Sequence, residues 1–217
     1  MSNPESFIDE VTEEVRRDRM FGYFRRYGWI AVLAVLLIVG GAAFNEWQKA
    51  QTRAASQAFG DALLAALEEG PDAEARRKAL AAVPAEGAPR AALRELMLAS
   101  DPAGDPAGAL AALDRIAADP ALAPSYRDLA VLRRAIVGGT TIPLAERRTA
   151  LDAIAAPGRP YRTLALEQLA LLDLEAGETA KAIQTLRSLA QDQEATPGLR
   201  RRAEQMITAL GGETPAG

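Results

Sequence analysis

One stretch limits what this chain can become: "RRYGWIAVLAVLLIVGGAAFNEWQKAQ", whose residues 28–44 form a run of 17 without a charge. As an α-helix such a run is about 26 Å long, close to the roughly 30 Å apolar core of a bilayer. Three structures accommodate it: a buried core helix, a cleaved leader, or a permanent anchor. Tyr27 and Trp29 stand at one end and Trp47 at the other, the interfacial positions that aromatic side chains favour. Arg25 and Arg26 precede the run, where their stems can lie in lipid while the guanidinium groups reach the headgroups. A core helix needs neither feature. A leader would carry a shorter apolar stretch behind a basic start, whereas the segment before this one is long and acid-rich. The pattern predicts a single-pass anchor over residues 28–47, with Arg25, Arg26, Tyr27, Trp29 and Trp47 at the lipid bilayer interface.

Charge asymmetry predicts its orientation. Arg16, Arg17, Arg19, Arg25 and Arg26 lie before the run, against Lys49 and Arg53 just after it. The side richer in arginine is retained in the cytoplasm, so residues 1–27 are expected there and residues 48–210 across the membrane. Within 1–27, Phe7, Val11 and Val15 recur every four residues, and Glu13 and Glu14 can reach Arg17. This spacing predicts a short amphipathic helix with a self-paired polar face.

The remaining chemistry is narrow. The chain has no cysteine and no histidine, which removes thiolate nucleophiles, imidazole bases and the usual zinc sites. Its net charge of −4, with basic residues scattered, gives no nucleic-acid footprint. "DPAGDPAG" lacks the ligand density of a calcium loop, and "GGTT" has neither a following lysine nor a preceding strand. Both read as connectors. No cofactor, metal or small-molecule substrate is expected, and no enzymatic activity.

Behind the apolar run four segments resemble one another: "KALAAVPAE", "AALDRIAAD", "TALDAIAAP" and "QTLRSLAQD". Their matching leucines, Leu80, Leu113, Leu151 and Leu186, are 33, 38 and 35 residues apart. That is the period of stacked helix pairs, in which no pair can bury its apolar face alone. Prolines follow each segment, ending one pair and opening the next. The first helices of the pairs are expected in "RAALRELMLAS", "SYRDLAVLRRAIV" and "YRTLALEQLALLDLEAG". A helix over 44–69 should lead into the stack with Ala55, Phe59, Ala62, Leu63, Ala66 and Leu67 as its apolar stripe. "LRRRAEQMITAL" should close the stack with Arg200, Arg201 and Arg202 facing water, and residues 211–217 should form a disordered tail. The predicted fold is all-α: a single N-terminal transmembrane helix followed by an α-solenoid of helical hairpins.

In the last pair, Leu169, Ala170, Gly177, Ala182 and Leu186 stand where a tetratricopeptide repeat places its helix-packing residues. Together with "RRYGW", "NEWQKAQTRAASQAFGDALLAAL" and the acidic-basic opening helix, they make the chain resemble the YfgM-like, tetratricopeptide-repeat-like inner-membrane proteins of Gram-negative bacteria, alphaproteobacterial members above all. The resemblance is sharpest over residues 6–67. It implies an inner-membrane protein with a periplasmic repeat domain, an ancillary subunit of the SecYEG translocon working with a PpiD-like periplasmic chaperone in the handover of secreted proteins.

Tyr126, Arg127, Tyr161 and Arg162 open two of the first helices. Tyrosine and arginine suit partner binding through contact area and forked hydrogen bonds. Alternatively the tyrosines pack between repeats and the arginines pair with Asp128 or Glu167. A different function, a regulator whose cytosolic helix at residues 5–19 binds a signalling protein, is separated from the translocon reading by deletion of residues 2–19. Association with the translocon should survive the deletion under the translocon reading, whereas the phenotype should vanish under the regulator reading.

Overall fold

The computed structural model describes residues 4–69, 72–100 and 104–213, with side chains from Arg25 onward except that of Ala31. Among the described residues there are nine α-helices and no strand. They are α1 (Pro4–Leu67), α2 (Ala73–Ala82), α3 (Ala88–Leu98), α4 (Pro106–Ala118), α5 (Pro124–Gly138), α6 (Leu144–Ile154), α7 (Arg162–Glu175), α8 (Thr179–Ala190) and α9 (Pro197–Ala209). The chain divides into two compact units, Met1–Ala58 and Phe59–Gly217.

The described residues of unit one all belong to α1. No proline falls between Pro4 and Pro71, so nothing in the backbone stops the helix earlier. The short separate helix expected over the opening residues is instead the start of this long one; its side-chain pairing, Glu13 and Glu14 with Arg17, lies outside the described side chains. Residues 25–67 of α1 are long and apolar enough to cross a membrane, and none of the apolar window is buried. Leu37 is 69% exposed and Ile38 71%. A core helix would have these side chains covered; here they stand open. Each large aliphatic side chain left in water forgoes about 1.5–3 kcal/mol of burial, and at least eight stand open between Ile30 and Phe44. Arg26 lies over the Tyr27 ring at 6.0 Å, and the Phe44 and Trp47 rings are 6.0 Å apart.

Unit two, from Phe59 onward, holds the repeat stack. The last turns of α1 join α2 through Leu63, Ala66, Leu80 and Val83, with Phe59 and Ala62 against them. Ala55 and Leu67 fall off this stripe and are exposed. Three further pairs follow as the period predicts: α3 with α4, α5 with α6, and α7 with α8. All four matching leucines are buried, with Leu113, Leu151 and Leu186 fully so. Three apolar clusters continue the core from α3 to α9, each drawing on helices of neighbouring pairs. In the last pair Ala170, Ala182 and Leu186 are fully buried, as the repeat pattern requires.

Local chemistry sets the ends. The Asp72, Asp105 and Thr196 side chains accept from Glu74 N, Gly108 N and Leu199 N, capping α2, α4 and α9. Asp105 belongs to "DPAGDPAG", which thereby acts as a helix start; Asp101 lies outside the described residues. α7 ends on Gly177 at φ 80°, where Gly177 N donates to Leu174 O and Glu178 N to Asp173 O. Only glycine takes this left-handed position without strain. The longer connector after α5 forms a 3-10 turn, Gly139–Thr141, and a Cβ on Gly138 would meet the Ile142 side chain. Of the tail expected over residues 211–217, residues 211–213 are described. Gly211 and Gly212 bond back to α9, and the Glu213 carbonyl accepts from Arg187; residues 214–217 lie outside the described residues.

Leu151→Ala should lower the unfolding free energy by about 2–5 kcal/mol, whereas Leu64→Ala, at a position 60% exposed, should change it by about 0.5 kcal/mol or less. Urea titration of the two variants checks the contrast.

Candidate functional site

The first helices of the pairs present a common face. α3 contributes Leu93, Leu96 and Met97, with Ser100 in the turn just after it; α5 contributes Leu129, Leu132, Arg133 and Ile136; α7 contributes Leu164, Glu167 and Gln168. On each helix these positions follow the three- and four-residue spacing of a single helical face. They recur 36 residues apart from α3 to α5 and 35 from α5 to α7. Together with Arg202 of α9 they line a groove of about 520 Å³. Its walls are mostly aliphatic, and Leu93 and Ile136 remain exposed.

Polar groups stand at two places. Arg202 donates through Nε and Nη2 to both oxygens of Glu167, at 2.5 and 2.7 Å. Glu167 is itself buried, so the forked pair supplies the hydrogen bonds a carboxylate needs away from water. Arg202 remains exposed while reaching onto α7; Arg201 is also exposed, and Arg200 is half-buried. Arg133 donates to the Ser100 hydroxyl. Among the described residues no carboxylate pairs with it.

The four residues singled out by sequence occupy a different place. Tyr126 packs on the core of α3–α5 and Tyr161 on that of α5–α7, both half-buried. Arg162 bridges Asp192 and Glu194, at 2.5 and 2.7 Å, in the connector before α9. Asp128 is taken by Arg159, from the connector before α7, and Glu167 by Arg202. Neither expected carboxylate is the partner of these arginines. None of the four lines the groove. The two clasps are equivalent, since each ties the first turns of one repeat to the connector before the next first helix, 31 and 30 residues on, with the charges exchanged.

Charge pairs elsewhere join successive helices. Asp173, buried in α7, receives Arg148 of α6 and Lys181 of α8 at 2.7 and 2.9 Å. Arg147, buried in α6, donates to both carboxylate oxygens of Glu175 and to the Ile142 carbonyl. The hydrogen bonds from Arg147 hold the Glu175 carboxyl below its ordinary range; desolvation opposes this and the guanidinium charge reinforces it. Among the described residues no cluster of acidic groups could hold a metal ion.

The groove was missed because its signal lies in repetition across helices. Leu93, Leu129 and Leu164 are unremarkable one at a time. Aligning the three first helices directly on one another, at steps of 36 and 35 residues, shows the recurring face.

The tetratricopeptide repeat-like domain family matches residues 22–155, from the apolar run through α6. No curated protein and no solved structure matches the chain.

Folding lowers the Glu175 pKa, so its contribution to stability is full above the unfolded-state value of about 4.3 and is lost as pH falls through the lower folded-state value. Melting temperature should fall between pH 5 and pH 3, and Glu175→Gln should flatten part of that slope. Thermal scans across this range check it.

Proposed function

Because the chain belongs to the tetratricopeptide repeat-like domain family, we propose that it is a membrane-anchored scaffold for protein partners, without catalytic chemistry of its own. In this reading it is an ancillary subunit of the SecYEG translocon that helps pass emerging proteins to a PpiD-like periplasmic chaperone. The observation that carries the anchored scaffold is the unburied apolar stretch of α1 in the same chain as a helical repeat stack. Uncovered aliphatic side chains call for lipid, and the repeat fold serves protein interaction.

Arg25, Arg26, Tyr27, Trp29 and Trp47 mark the bilayer interfaces of the proposed span. The arginine excess before it supports a cytoplasmic start and a periplasmic repeat domain in the bacterial inner membrane. The translocon assignment rests on the resemblance of residues 6–67. Anchoring holds the repeat domain at high local concentration beside membrane partners, so weak individual contacts suffice. The groove on the first helices is the main partner surface. Tyr126, Arg127, Tyr161 and Arg162, all half-exposed, offer a second contact at the starts of α5 and α7.

Photocrosslinkers at Trp47 and Ile136 test the assignment in cells. Trp47 should yield adducts with translocon subunits and Ile136 with a periplasmic chaperone or its clients. Adducts confined to envelope proteins unconnected with secretion would overturn the translocon role. Since the chain has no cysteine, Glu213→Cys reports topology: a membrane-impermeant maleimide should label it in spheroplasts, and protection would reverse the orientation.

A further inference from the structure

The groove also carries information about what fills it. Its walls come from Leu93, Leu129, Leu164 and Ile136 with few polar atoms, and the described residues contain no strand edge. An extended peptide lying there would leave backbone N–H and C=O groups without partners, an expensive state in an apolar setting. A helix satisfies its own backbone and offers aliphatic side chains every third and fourth residue. The row from Leu93 through Leu129 to Leu164 crosses three helices. At about 8–10 Å per helix the row is about 16–20 Å long, matching about 11–13 residues of a bound helix.

Charge narrows the partner further. Glu167 is already matched by Arg202, whereas Arg133 has only the Ser100 hydroxyl. A basic partner would face an unneutralised guanidinium; an acidic one would neutralise it. We propose that the groove of α3, α5 and α7 receives an amphipathic helix of a partner protein, with aliphatic residues on Leu93, Leu129 and Leu164 and a carboxylate on Arg133. The proposal rests on the scaffold reading above and specifies the chemistry of the partner.

The test uses the full chain in nanodiscs of zwitterionic lipid and three fluorescein-labelled 16-residue synthetic peptides, with empty nanodiscs subtracted. One peptide is a leucine and glutamate amphipathic helix, the second has lysine in place of glutamate, and the third carries two central prolines in the glutamate sequence. Anisotropy should rise saturably with the first peptide and far less with the other two. Arg133→Glu should weaken the glutamate peptide by about tenfold and strengthen the lysine peptide. Ile136→Asp, at an exposed position, should abolish binding while leaving the melting temperature near that of the parent.

Equal binding of the proline peptide, or indifference to Arg133→Glu, would overturn the proposal, as would no signal above empty discs. A dimer in nanodiscs that Ile136→Asp dissociates would show a second copy in the groove and also overturn it. Failure here with translocon adducts retained at Trp47 removes the helical occupant and keeps the scaffold. Peptide binding without those adducts does the reverse.

Discussion

Close approach of helices through alanine is the constraint on which the repeat stack depends. Ala130, Ala165, Ala170, Ala182 and Ala203 are all fully buried, and a larger side chain at any of them would push neighbouring helices apart. With alanine at these positions, leucine and isoleucine from the adjoining turns interdigitate. Leu113, Leu151, Ile154, Leu186, Leu189 and Ile207 then become the largest buried apolar side chains.

Helices held by such uniform small-residue contacts could slide or pair out of order. Charge pairs counter this by giving each junction its own arrangement. Asp128 with Arg159 and Arg162 with Asp192 serve equivalent junctions with the signs exchanged, so a repeat shifted by one unit would bring like charges together. Asp173 gathers cations from the helices on either side of α7. Removing one member of a buried pair leaves the other uncompensated, which makes these clasps more selective for register than their net stabilisation suggests.

The same stacking creates the functional surface. Aligning three first helices places Leu93, Leu129 and Leu164 in a row, and the Glu167–Arg202 pair closes its far end. No single helix holds this surface. In the proposed setting, an anchored chain offers the groove to proteins near the membrane, and a partner helix gains affinity by covering leucines that the stack leaves open.

Sequence by itself determined the all-helical architecture, the apolar span and the order of the helix pairs, since each is encoded by local periodicity, by prolines at helix starts and by glycine at turns such as Gly177. Leu80, Leu113, Leu151 and Leu186 marked the pairs because a buried position repeats at the period of the fold. The partners of Arg162, Asp128, Glu167 and Arg202 were not legible, nor was the groove. Contacts between residues some 30–36 apart depend on how one pair rotates on the next, and many pairings of the same charges satisfy the linear pattern equally. Only the packed stack chose among them: once the alanine crossings set that rotation, Tyr126 and Tyr161 came to lie half-buried against the core and Arg133 was left at the groove without a carboxylate.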